Sequence, residues 1–529
     1  MEGESSKAPA GRSGNGDKLP GRGVKREGRD LPSPNSRSKV AKQSPPSALA
    51  QIRRPPFGMA YPNGGLRITR TPGRLHAKNC TSLGDIIDKD HLVSACIFAF
   101  YIADDELFPH LPNSTKSADT VPVFLGRDAN NDPFLQSAAS RAGVLLTEGK
   151  LTKKTLDALR PHLADLHKTH SGKNIHAFYA WSSGSSHSKI LLLVYPAFLR
   201  IVITSCNMMD IDTVLGDNHW YIHDVPRRNE RAGRPPAGFE GTLLTHMEAL
   251  GTPPTFLDSI RGWYDYSSVR VYLVTSHPGT FSGPKAEQHG LLRLRKVVRH
   301  LGLDFGEESK DEQVRLEVCT TSVGNISARW LNAFHKCALG QQGIRVPEEE
   351  DNSDEVPDIK LLYPSVNDVR SASADSQDAA SNIGCHLRPW NKAPQAVKSI
   401  FHNYRSKDSG RLLHQKLIMA YNSLNPKDTP YFVYVGSANL SQSAWGSVAE
   451  DKKKGNEATC HTKLAGISNF ECGVIIPGRL ISDLLELGTE SWEDGIVPYD
   501  RTAAPYDLKR DKPWNDPRWV KGYSNDYEA

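Results

Sequence analysis

One pattern of polar and apolar residues occurs twice in the chain, and this repetition constrains the fold more than any other feature. Each copy begins with a histidine and a lysine two residues apart, continues through two apolar runs joined by a turn, and ends in an asparagine. These residues are His187, Lys189 and Asn207 in the first copy and His414, Lys416 and Asn439 in the second. Side chains two residues apart on a strand leave the same face. The pattern predicts two strand pairs, each presenting an imidazole, an ammonium and an amide together.

The two copies lie about a domain's length apart, which indicates an internal repeat. The segment Ser267 to Thr275 is typical of a new buried strand. We therefore predict one domain over residues 61–266 and a second over residues 267–529. Residues 1–60 are rich in Ser, Pro, Gly and basic residues, and this composition predicts a disordered basic tail.

Three further segments carry local predictions. The apolar run Val93 to Ala103 fits a buried strand or a helix, and its periodicity does not decide between them. Residues 151–170 are predicted to be helical, with Pro161 breaking the helix or starting one of its turns. The run Ser468 to Ile476 is predicted to be a strand that contains one acidic residue, Glu471.

Charge and cysteine usage limit the possible environments and partners. The formal charge of the 529-residue chain is +5, but residues 1–55 hold twelve Lys or Arg against five Asp or Glu. The rest of the chain is close to neutral, so a polyanion must be held by a local groove or by the tail. The eight cysteines show no C-x-x-C spacing, which is typical of reduced thiols in the cytosol or nucleus. No run approaches the roughly 18 apolar residues of a membrane helix, and the N-terminus has no apolar signal core.

Two charged segments keep alternative interpretations. The basic pairs Lys25-Arg26 and Arg53-Arg54 fit nuclear import or loose nucleic-acid contact, and equally a solvated leader. The acidic segment over residues 347–358 is interpreted as a solvated insertion rather than a regulatory element.

The paired motif suits a phosphodiester. Lys189 and Lys416 can neutralise the nonbridging oxygens, and Asn207 and Asn439 can donate to the charge that grows during attack. One neutral imidazole can attack phosphorus while the other, protonated, serves the leaving oxygen and then activates water. We expect Glu471 to support His414. This scheme needs no metal or other cofactor. His162, His167 and His170 offer a weaker metal hypothesis, because no Cys and few carboxylates lie in ligand register.

The motifs resemble those of a known superfamily. HSK with TSCN, and HQK with GSANLSQSAWG and NFECGV, are similar to the paired motifs of the phospholipase D superfamily. The usual H-x-K-x4-D motif would place aspartates where this chain has Val194 and Tyr421. The loss of both aspartates, with the histidines, lysines and asparagines kept, resembles the tyrosyl-DNA phosphodiesterase family. The resemblance covers roughly residues 60–525.

This resemblance implies a monomer of two similar α/β/α sandwich domains with mixed sheets and the active site between them. It implies that His187 attacks a 3′-phosphotyrosyl link and that His414 serves as acid and then base. The substrate would be a single-stranded or nicked DNA 3′ end carrying a trapped topoisomerase I peptide, and the product a 3′-phosphate. Nuclear DNA repair, without membrane or metal, follows from the same resemblance. It also implies a carboxamide near the first histidine, which aligns with Asn218, and substrate contacts from Ser322, Ser365 and Ser441.

Two other functions stay open on the sequence alone. The first is another metal-independent nuclease, phosphodiesterase or phospholipase of the same superfamily, although the absent aspartates and the lack of a lipid-binding amphipathic segment disfavour a lipase. The second is a catalytically silent DNA-binding scaffold, which two complete motifs disfavour. Trp445 fits either a substrate contact or packing in the second-half core, and the Pro513-Trp514 end fits either a peptide contact or simple packing.

Overall fold

Two mixed β-sheets carry the two copies of the repeated pattern. The computed structural model describes residues 58–112, 121–146, 151–303, 305, 313–341, 355–385, 387–451, 461–485 and 491–516. The described residues from Gly58 onward belong to one compact unit. The predicted tail, apart from its last three residues, and the first eight residues of the acidic segment 347–358 lie outside the described residues.

The first sheet has eight strands. In chain order they are β1 (Gly65–Thr69), β2 (Cys80–Thr81), β3 (Ser94–Ala99), β4 (Val123–Asp128), β5 (Ile175–Ala180), β6 (Ile190–Val194), β7 (Phe198–Thr204) and β8 (His219–Pro226). Their spatial order is β2-β1-β8-β7-β6-β3-β4-β5. Strands β3, β4 and β5 run parallel, whereas β3, β6, β7, β8 and β1 pair antiparallel in that order.

The second large sheet has seven of the remaining strands. The strands that complete the chain are β9 (Tyr272–Ser276), β10 (Gly279–Ser282), β11 (Val314–Cys319), β12 (Ser322–Val323), β13 (Ile359–Leu362), β14 (Gly384–Cys385), β15 (Phe401–His402), β16 (Leu417–Asn422), β17 (Phe432–Gly436), β18 (Ser447–Asp451), β19 (His461–Ile467) and β20 (Glu471–Pro477). The second sheet has the order β15-β13-β11-β16-β17-β20-β9, and small sheets β10-β19-β18 and β12-β14 accompany it.

The two large sheets share one topology. In the second sheet, β15, β13 and β11 run parallel, and β11, β16, β17, β20 and β9 then pair antiparallel. This matches the sequence β5-β4-β3 followed by β6-β7-β8-β1 in the first sheet. The internal repeat predicted from the motifs is thus confirmed, and we call residues 65–226 and 272–477 the first and second repeats. The exact domain boundary at residue 266 stays a prediction.

Helices cover the sheet faces. They are α1 (Leu83–Ile86), α2 (Asp104–Leu107), α3 (Leu135–Ala142), α4 (Lys153–His170), α5 (Asp210–Thr213), α6 (Gly238–Ala249), α7 (Pro254–Ile260), α8 (Gly290–His300), α9 (Ala328–Ala338), α10 (Val366–Arg370), α11 (Ala374–Gln377), α12 (Leu387–Lys392), α13 (Gln395–Ser399), α14 (Gln442–Trp445), α15 (Ile481–Leu484) and α16 (Trp492–Ile496).

Strand β6 shows why its sequence is continuously apolar. Ile190, Leu192 and Val194 belong to a core that also contains residues of the second sheet, whereas Leu191 and Leu193 belong to a separate core on the opposite face. A strand buried on both faces has no solvent face to alternate with, so it reads as an unbroken hydrophobic run. The same burial explains why the run around Cys96 did not distinguish strand from helix; the structure makes it strand β3.

One helix prediction was wrong in a detail. Helix α4 continues through Pro161 rather than breaking there. Pro161 and Asp157, whose carbonyl loses its helical donor, both lie on the exposed face, where water can bond the freed oxygen. The opposite face buries Leu156, Leu159 and Leu163, and this packing keeps the helix intact.

Two predictions made from the sequence concern membrane helices and cysteines. None of the described helices is long and apolar enough to cross a membrane. Seven of the eight cysteines are buried free thiols. The eighth, Cys460, lies outside the described residues.

Candidate active site

The two H-x-K motifs lie just before their strands rather than inside them. His187 and His414 occupy extended segments that lead into β6 and β16. The His187 amide donates to the Phe470 carbonyl at 2.9 Å, and the His414 amide donates to the Asp217 carbonyl at 3.0 Å. Each motif thus bonds to backbone of the other repeat before its chain enters its own sheet.

The two imidazoles face each other across a narrow, sheltered space. Their ring centroids are 6.5 Å apart and the rings are close to perpendicular. His187 is 8% exposed and His414 is 4% exposed. Two histidines at this separation can approach one phosphorus atom from opposite sides.

Each histidine is paired with a carboxylate of the opposite repeat. Nδ1 of His187 lies 3.0 Å from Oε2 of Glu471, and Nδ1 of His414 lies 3.0 Å from Oδ2 of Asp212. The expectation that Glu471 supports His414 is therefore wrong. Strand β20 begins beside the segment that carries His187, since Phe470 and Ser186 form a backbone bridge, so Glu471 reaches the first histidine.

Both histidines have their tautomer set by these contacts. Nδ1 of His414 donates to the Ser205 carbonyl at 3.1 Å, and a carbonyl oxygen can only accept. Nδ1 of His187 faces a carboxylate, which also accepts. In each ring Nδ1 carries the proton, and Nε2 remains for chemistry.

The two carboxylates are held by hydrogen bonds of their own. Glu471 accepts from the Ser437 hydroxyl at 2.5 Å and from the Asn469 amide at 3.0 Å. Asp212 accepts from the backbone N–H and the side-chain amide of Asn207, both at 2.9 Å. Burial raises the pKa of both carboxyls, but their histidine and lysine neighbours prevail and hold each pKa below its usual value. Both residues therefore stay ionised at neutral pH.

Asp212 was missed by the sequence reasoning. It follows Asn207 by five residues in a stretch that also contains Asp210 and Asp217. Nothing in the local sequence distinguishes Asp212 from these two neighbours, and its complete burial is visible only in the structure, where Asp217 is fully buried as well.

The two lysines sit in equivalent positions. Nζ of Lys189 donates to the His187 carbonyl at 2.6 Å, and Nζ of Lys416 donates to the His414 carbonyl at 2.5 Å. Both are fully buried. Burial lowers the pKa of Lys189 to about 7 and that of Lys416 well below its usual value. An incoming anion would restore their charge, because it replaces the lost hydration.

The asparagines occupy different environments from those expected. The Asn207 amide already donates to Asp212, and its oxygen accepts from the Tyr101 amide at 3.3 Å. The Asn439 oxygen accepts from the Thr320 hydroxyl at 2.9 Å and the Ser322 amide at 3.1 Å. Asn207 therefore orients Asp212, whereas the Asn439 amide nitrogen, for which no bond is observed among the described residues, is the better donor to substrate.

Asn218 serves the second histidine rather than the first. Its oxygen accepts from the Ser205 hydroxyl at 2.7 Å, and its amide donates to the Asp212 carbonyl at 3.0 Å. Ser205 and Asp212 are the two residues that contact Nδ1 of His414. Asn218 was expected near His187, but it lies next to the residues that orient His414.

The three predicted substrate serines differ in availability. Ser322 is half-buried and bonds Asn439 through its backbone, which places it at the second motif. Ser441 is half-buried and caps helix α14, accepting from the Ala444 amide. Ser365 is buried, and its hydroxyl is hydrogen-bonded to Asp368 in the cap of helix α10. Its hydroxyl is therefore not available to bind a substrate.

Aromatic residues frame the pocket and its surroundings. The Phe100 ring packs 5.3 Å from the His187 ring, and the Lys189 ammonium lies 5.6 Å from the Phe100 centroid. Trp445 is buried against Phe334 and Tyr434, so of its two interpretations the structure favours core packing. The Trp514 indole donates to the Ala380 carbonyl.

Burial governs the protonation of the two histidines. It lowers the pKa of His187, although the Glu471 carboxylate opposes this, and it lowers the pKa of His414 to about 3 against the opposing Asp212 carboxylate. Both rings are therefore neutral in the empty pocket. An anion bound between the two rings would raise the pKa of both.

The alternative metal hypothesis around helix α4 finds no support in the geometry. His167 is buried, where its Nε2 contacts Asp132 at 2.8 Å and its Nδ1 contacts Ser171 at 3.1 Å. Within the described ranges, no group of three or more His, Cys, Asp or Glu is arranged to hold a metal ion. His167 is a structural residue under the helix.

The duplicated sheets and the crossed histidine–carboxylate pairs define an α/β protein of the phospholipase D type, with mixed sheets. A sequence profile for tyrosyl-DNA phosphodiesterases matches residues 66–517. The chain belongs to the tyrosyl-DNA phosphodiesterase family.

Curated relatives and solved structures agree with this membership. The chain is 24% identical over 386 residues to tyrosyl-DNA phosphodiesterase 1 of Arabidopsis thaliana, covering 65% of this chain and 60% of that protein. It is 22% identical over 289 residues to a probable tyrosyl-DNA phosphodiesterase of Schizosaccharomyces pombe, covering 53% and 50%. The matches therefore span only 50–60% of these two relatives. The crystal structure of the yeast tyrosyl-DNA phosphodiesterase superposes with a TM-score of 0.57 at 15% identity, covering 85% of this chain and 100% of that chain, which shows a shared fold.

Proposed function

We propose that the protein is a DNA-repair phosphodiesterase that hydrolyses the 3′-phosphotyrosyl bond between DNA and a trapped topoisomerase I peptide. The observation that carries the proposal is the symmetric pocket, in which two neutral imidazoles 6.5 Å apart are each oriented by a carboxylate of the opposite repeat. Family membership supplies the substrate class.

In the first step, Nε2 of His187 attacks phosphorus. A bond forms between this nitrogen and phosphorus while the bond from phosphorus to the tyrosyl oxygen breaks. The leaving phenolate takes the proton that His414 acquired on substrate binding. Glu471 stabilises the positive charge that develops on the His187 ring, because its Oε2 lies 3.0 Å from Nδ1.

In the second step, His414 acts as a base. Nε2 of His414 takes a proton from water, and the hydroxide attacks phosphorus and breaks its bond to His187. The product is a DNA 3′-phosphate. Asp212 and the Ser205 carbonyl keep the proton on Nδ1 of His414, so that Nε2 is available in both steps.

The lysines and one asparagine stabilise the five-coordinate phosphorus. Lys189 and Lys416 each lower the pKa of the other repeat's histidine, so the charges of these four groups influence one another. Their ammonium groups and the Asn439 amide would bind the nonbridging oxygens. The scheme uses only side chains of this chain.

Finer features belong to the same proposal. The DNA would be a single strand or a nicked end, because one strand's 3′ phosphate must enter a narrow pocket. Action on 3′ ends gives the enzyme an exonuclease-like polarity. We also propose that it works as a monomer, since one chain supplies both motifs, and in the nucleus, where the proposed substrate forms.

A comparison of three substrates tests the proposal. The protein would be incubated with an oligonucleotide bearing a 3′-phosphotyrosine, a plain oligonucleotide and phosphatidylcholine, with His187→Ala as the control. We expect rapid conversion of the first to a 3′-phosphate and loss of this activity in the variant. Preferential cleavage of the plain oligonucleotide or the lipid would assign the protein to another branch of the superfamily.

A further inference from the structure

Two adjoining cavities lie between helices α6 and α8, apart from the pocket of the two H-x-K motifs. The smaller has a volume of about 280 Å³ and is lined by side chains that include Thr242, Thr245, His277, Gln288, His289 and Arg293. The larger has a volume of about 460 Å³. Gly238 and Arg293 belong to both linings, so the cavities meet there.

The linings are strongly cationic. Arg295, Lys296, Arg299 and His300 line the larger cavity. The one described acid in this lining, Glu287, pairs with Lys296 at 3.1 Å and with Arg295 at 3.9 Å. None of the described residues that line the smaller cavity is acidic. The rest of the folded chain is close to neutral, so this concentration of positive charge is local to the cleft.

Arg293 is the central cation. Its Nε donates to the Leu273 carbonyl at 3.0 Å, and none of the described carboxylates lies within ion-pair distance of it. Burial lowers its pKa, and no neighbouring group opposes that effect. A half-buried guanidinium without a carboxylate is costly unless an anion occupies its free fork.

Two histidines complete the donor set. The His277 and His289 rings lie 4.6 Å apart, and His289 is buried. Nδ1 of His289 has no hydrogen-bond partner among the described residues, so nothing in the described structure fixes which ring nitrogen carries its proton. The Thr245 hydroxyl and the Gln288 amide add neutral donors, whereas the Thr242 hydroxyl already donates to the Gly238 carbonyl at 2.9 Å.

The histidines also connect the cavity to the first motif. His277 bonds to His246 at 2.9 Å, and the other nitrogen of His246 bonds to the Ser188 hydroxyl at 2.9 Å. Ser188 stands between His187 and Lys189. His246 thus uses both ring nitrogens in hydrogen bonds, which leaves none for a metal.

The donor chemistry selects the ligand. An arginine fork, an amide, a hydroxyl and imidazole N–H groups match the several acceptor oxygens of a phosphate. The row of cations in the larger cavity suits further phosphates attached to the first. We propose that the two cavities bind linked phosphate groups, the first at Arg293, His277 and His289 and the next beside Arg295 and Arg299. The source is either a free oligophosphate or a nucleic-acid backbone. This site does not depend on the proposed phosphodiesterase activity.

Direct binding measurements test the site and distinguish the two sources. Labelled pyrophosphate would be followed by equilibrium dialysis, and a fluorescent oligonucleotide of about ten nucleotides with a plain 3′-hydroxyl by anisotropy. The variants are Arg293→Gln, Arg293→Lys and Arg299→Gln, the last being an exposed position. Arg160→Gln on helix α4 removes the same charge outside the cleft, and unfolding temperatures verify that every variant is folded.

We expect Arg293→Gln and Arg299→Gln each to weaken binding about tenfold, Arg293→Lys to retain part of it and Arg160→Gln to leave it unchanged. A loss confined to the oligonucleotide assigns the site to a nucleic-acid backbone, and a loss confined to pyrophosphate assigns it to a free oligophosphate. Unchanged binding of both ligands in the two glutamine variants, or an equal loss in Arg160→Gln, would overturn the proposal.

Discussion

Glu471 of the second repeat lies 3.0 Å from Nδ1 of His187 in the first repeat. The reverse relation holds between Asp212 of the first repeat and His414 of the second. Neither histidine is oriented by a carboxylate of its own repeat. The pocket is therefore complete only when the two repeats are packed together, and the backbone bridges Ser186–Phe470 and Asp217–Leu413 fix that packing beside the histidines.

Replacing Glu471 should shift the acid limb of the pH profile. His187 must be neutral to attack, and its pKa is lowered by burial but raised again by the Glu471 carboxylate. In Glu471→Gln the pKa of His187 therefore falls further, and the acid limb of kcat/KM moves to lower pH. The plateau rate should also fall, by about tenfold or more, because the charge opposite the ring is lost. A limb that moved to higher pH would show that Glu471 does not act on the nucleophile.

Replacing Asp212 should affect leaving groups unequally. Asp212 raises the pKa of His414, so Asp212→Asn makes the ring harder to protonate. Release of tyrosine, whose pKa is about 10, needs that proton and should slow about 100-fold. A substrate with a 3′-(4-nitrophenyl) phosphate releases 4-nitrophenolate, a much weaker base than the tyrosine phenolate, and its first-step rate should fall far less. Equal losses in single-turnover rates for the two substrates would argue against His414 as the acid.

Substrate binding should take up protons. Burial holds the pKa of His414 at about 3 and that of Lys189 at about 7 in the empty pocket, and a phosphodiester anion raises both. Near pH 7 the bound state thus holds more protons than the free state. Calorimetry with His187→Ala, in buffers of different ionisation enthalpy, should show net uptake. Net release would contradict the electrostatic account.

Asp217 should be a major stabilising residue near the second motif. It is fully buried, its Oδ1 lies 2.5 Å from Nη1 of Arg74, and it accepts a hydrogen bond from the Tyr404 hydroxyl. Asp217→Asn leaves Arg74 without its ion-pair partner, which should lower the free energy of unfolding by about 3–5 kcal/mol. Urea denaturation followed by tryptophan fluorescence measures the change.

The exposed pair formed by Arg141 and Asp165 supplies the control for that measurement. Asp165→Asn should cost no more than about 1 kcal/mol in unfolding free energy. Similar losses in Asp217→Asn and Asp165→Asn would show that the buried pair has no special role.

The repeat and its strands could be predicted because their signals are local. Apolar runs such as Ile190 to Val194 indicate a strand that is buried on both faces. The two-residue spacing of His414 and Lys416 indicates an extended backbone. The roles of the histidines, lysines and asparagines in catalysis remain predictions.

The crossed pairing could not be predicted, because it depends on how two distant segments dock. Glu471 follows the second motif in the chain, which favoured His414 as its partner, whereas packing places it beside His187. Asp212 was hidden among neighbouring acids for the same reason. Pro161 shows the reverse case, in which a strong local signal yields to the packing of helix α4.

Trapping the covalent intermediate tests the central claim most directly. His414→Asn would be mixed with a labelled oligonucleotide carrying a 3′-(4-nitrophenyl) phosphate, whose departure needs little acid catalysis, and the product mapped by peptide mass spectrometry. We predict that an acid-labile enzyme–DNA adduct accumulates on His187, because the base of the second step is absent while the nucleophile remains. No adduct, or an adduct on any other residue, would contradict the assignment.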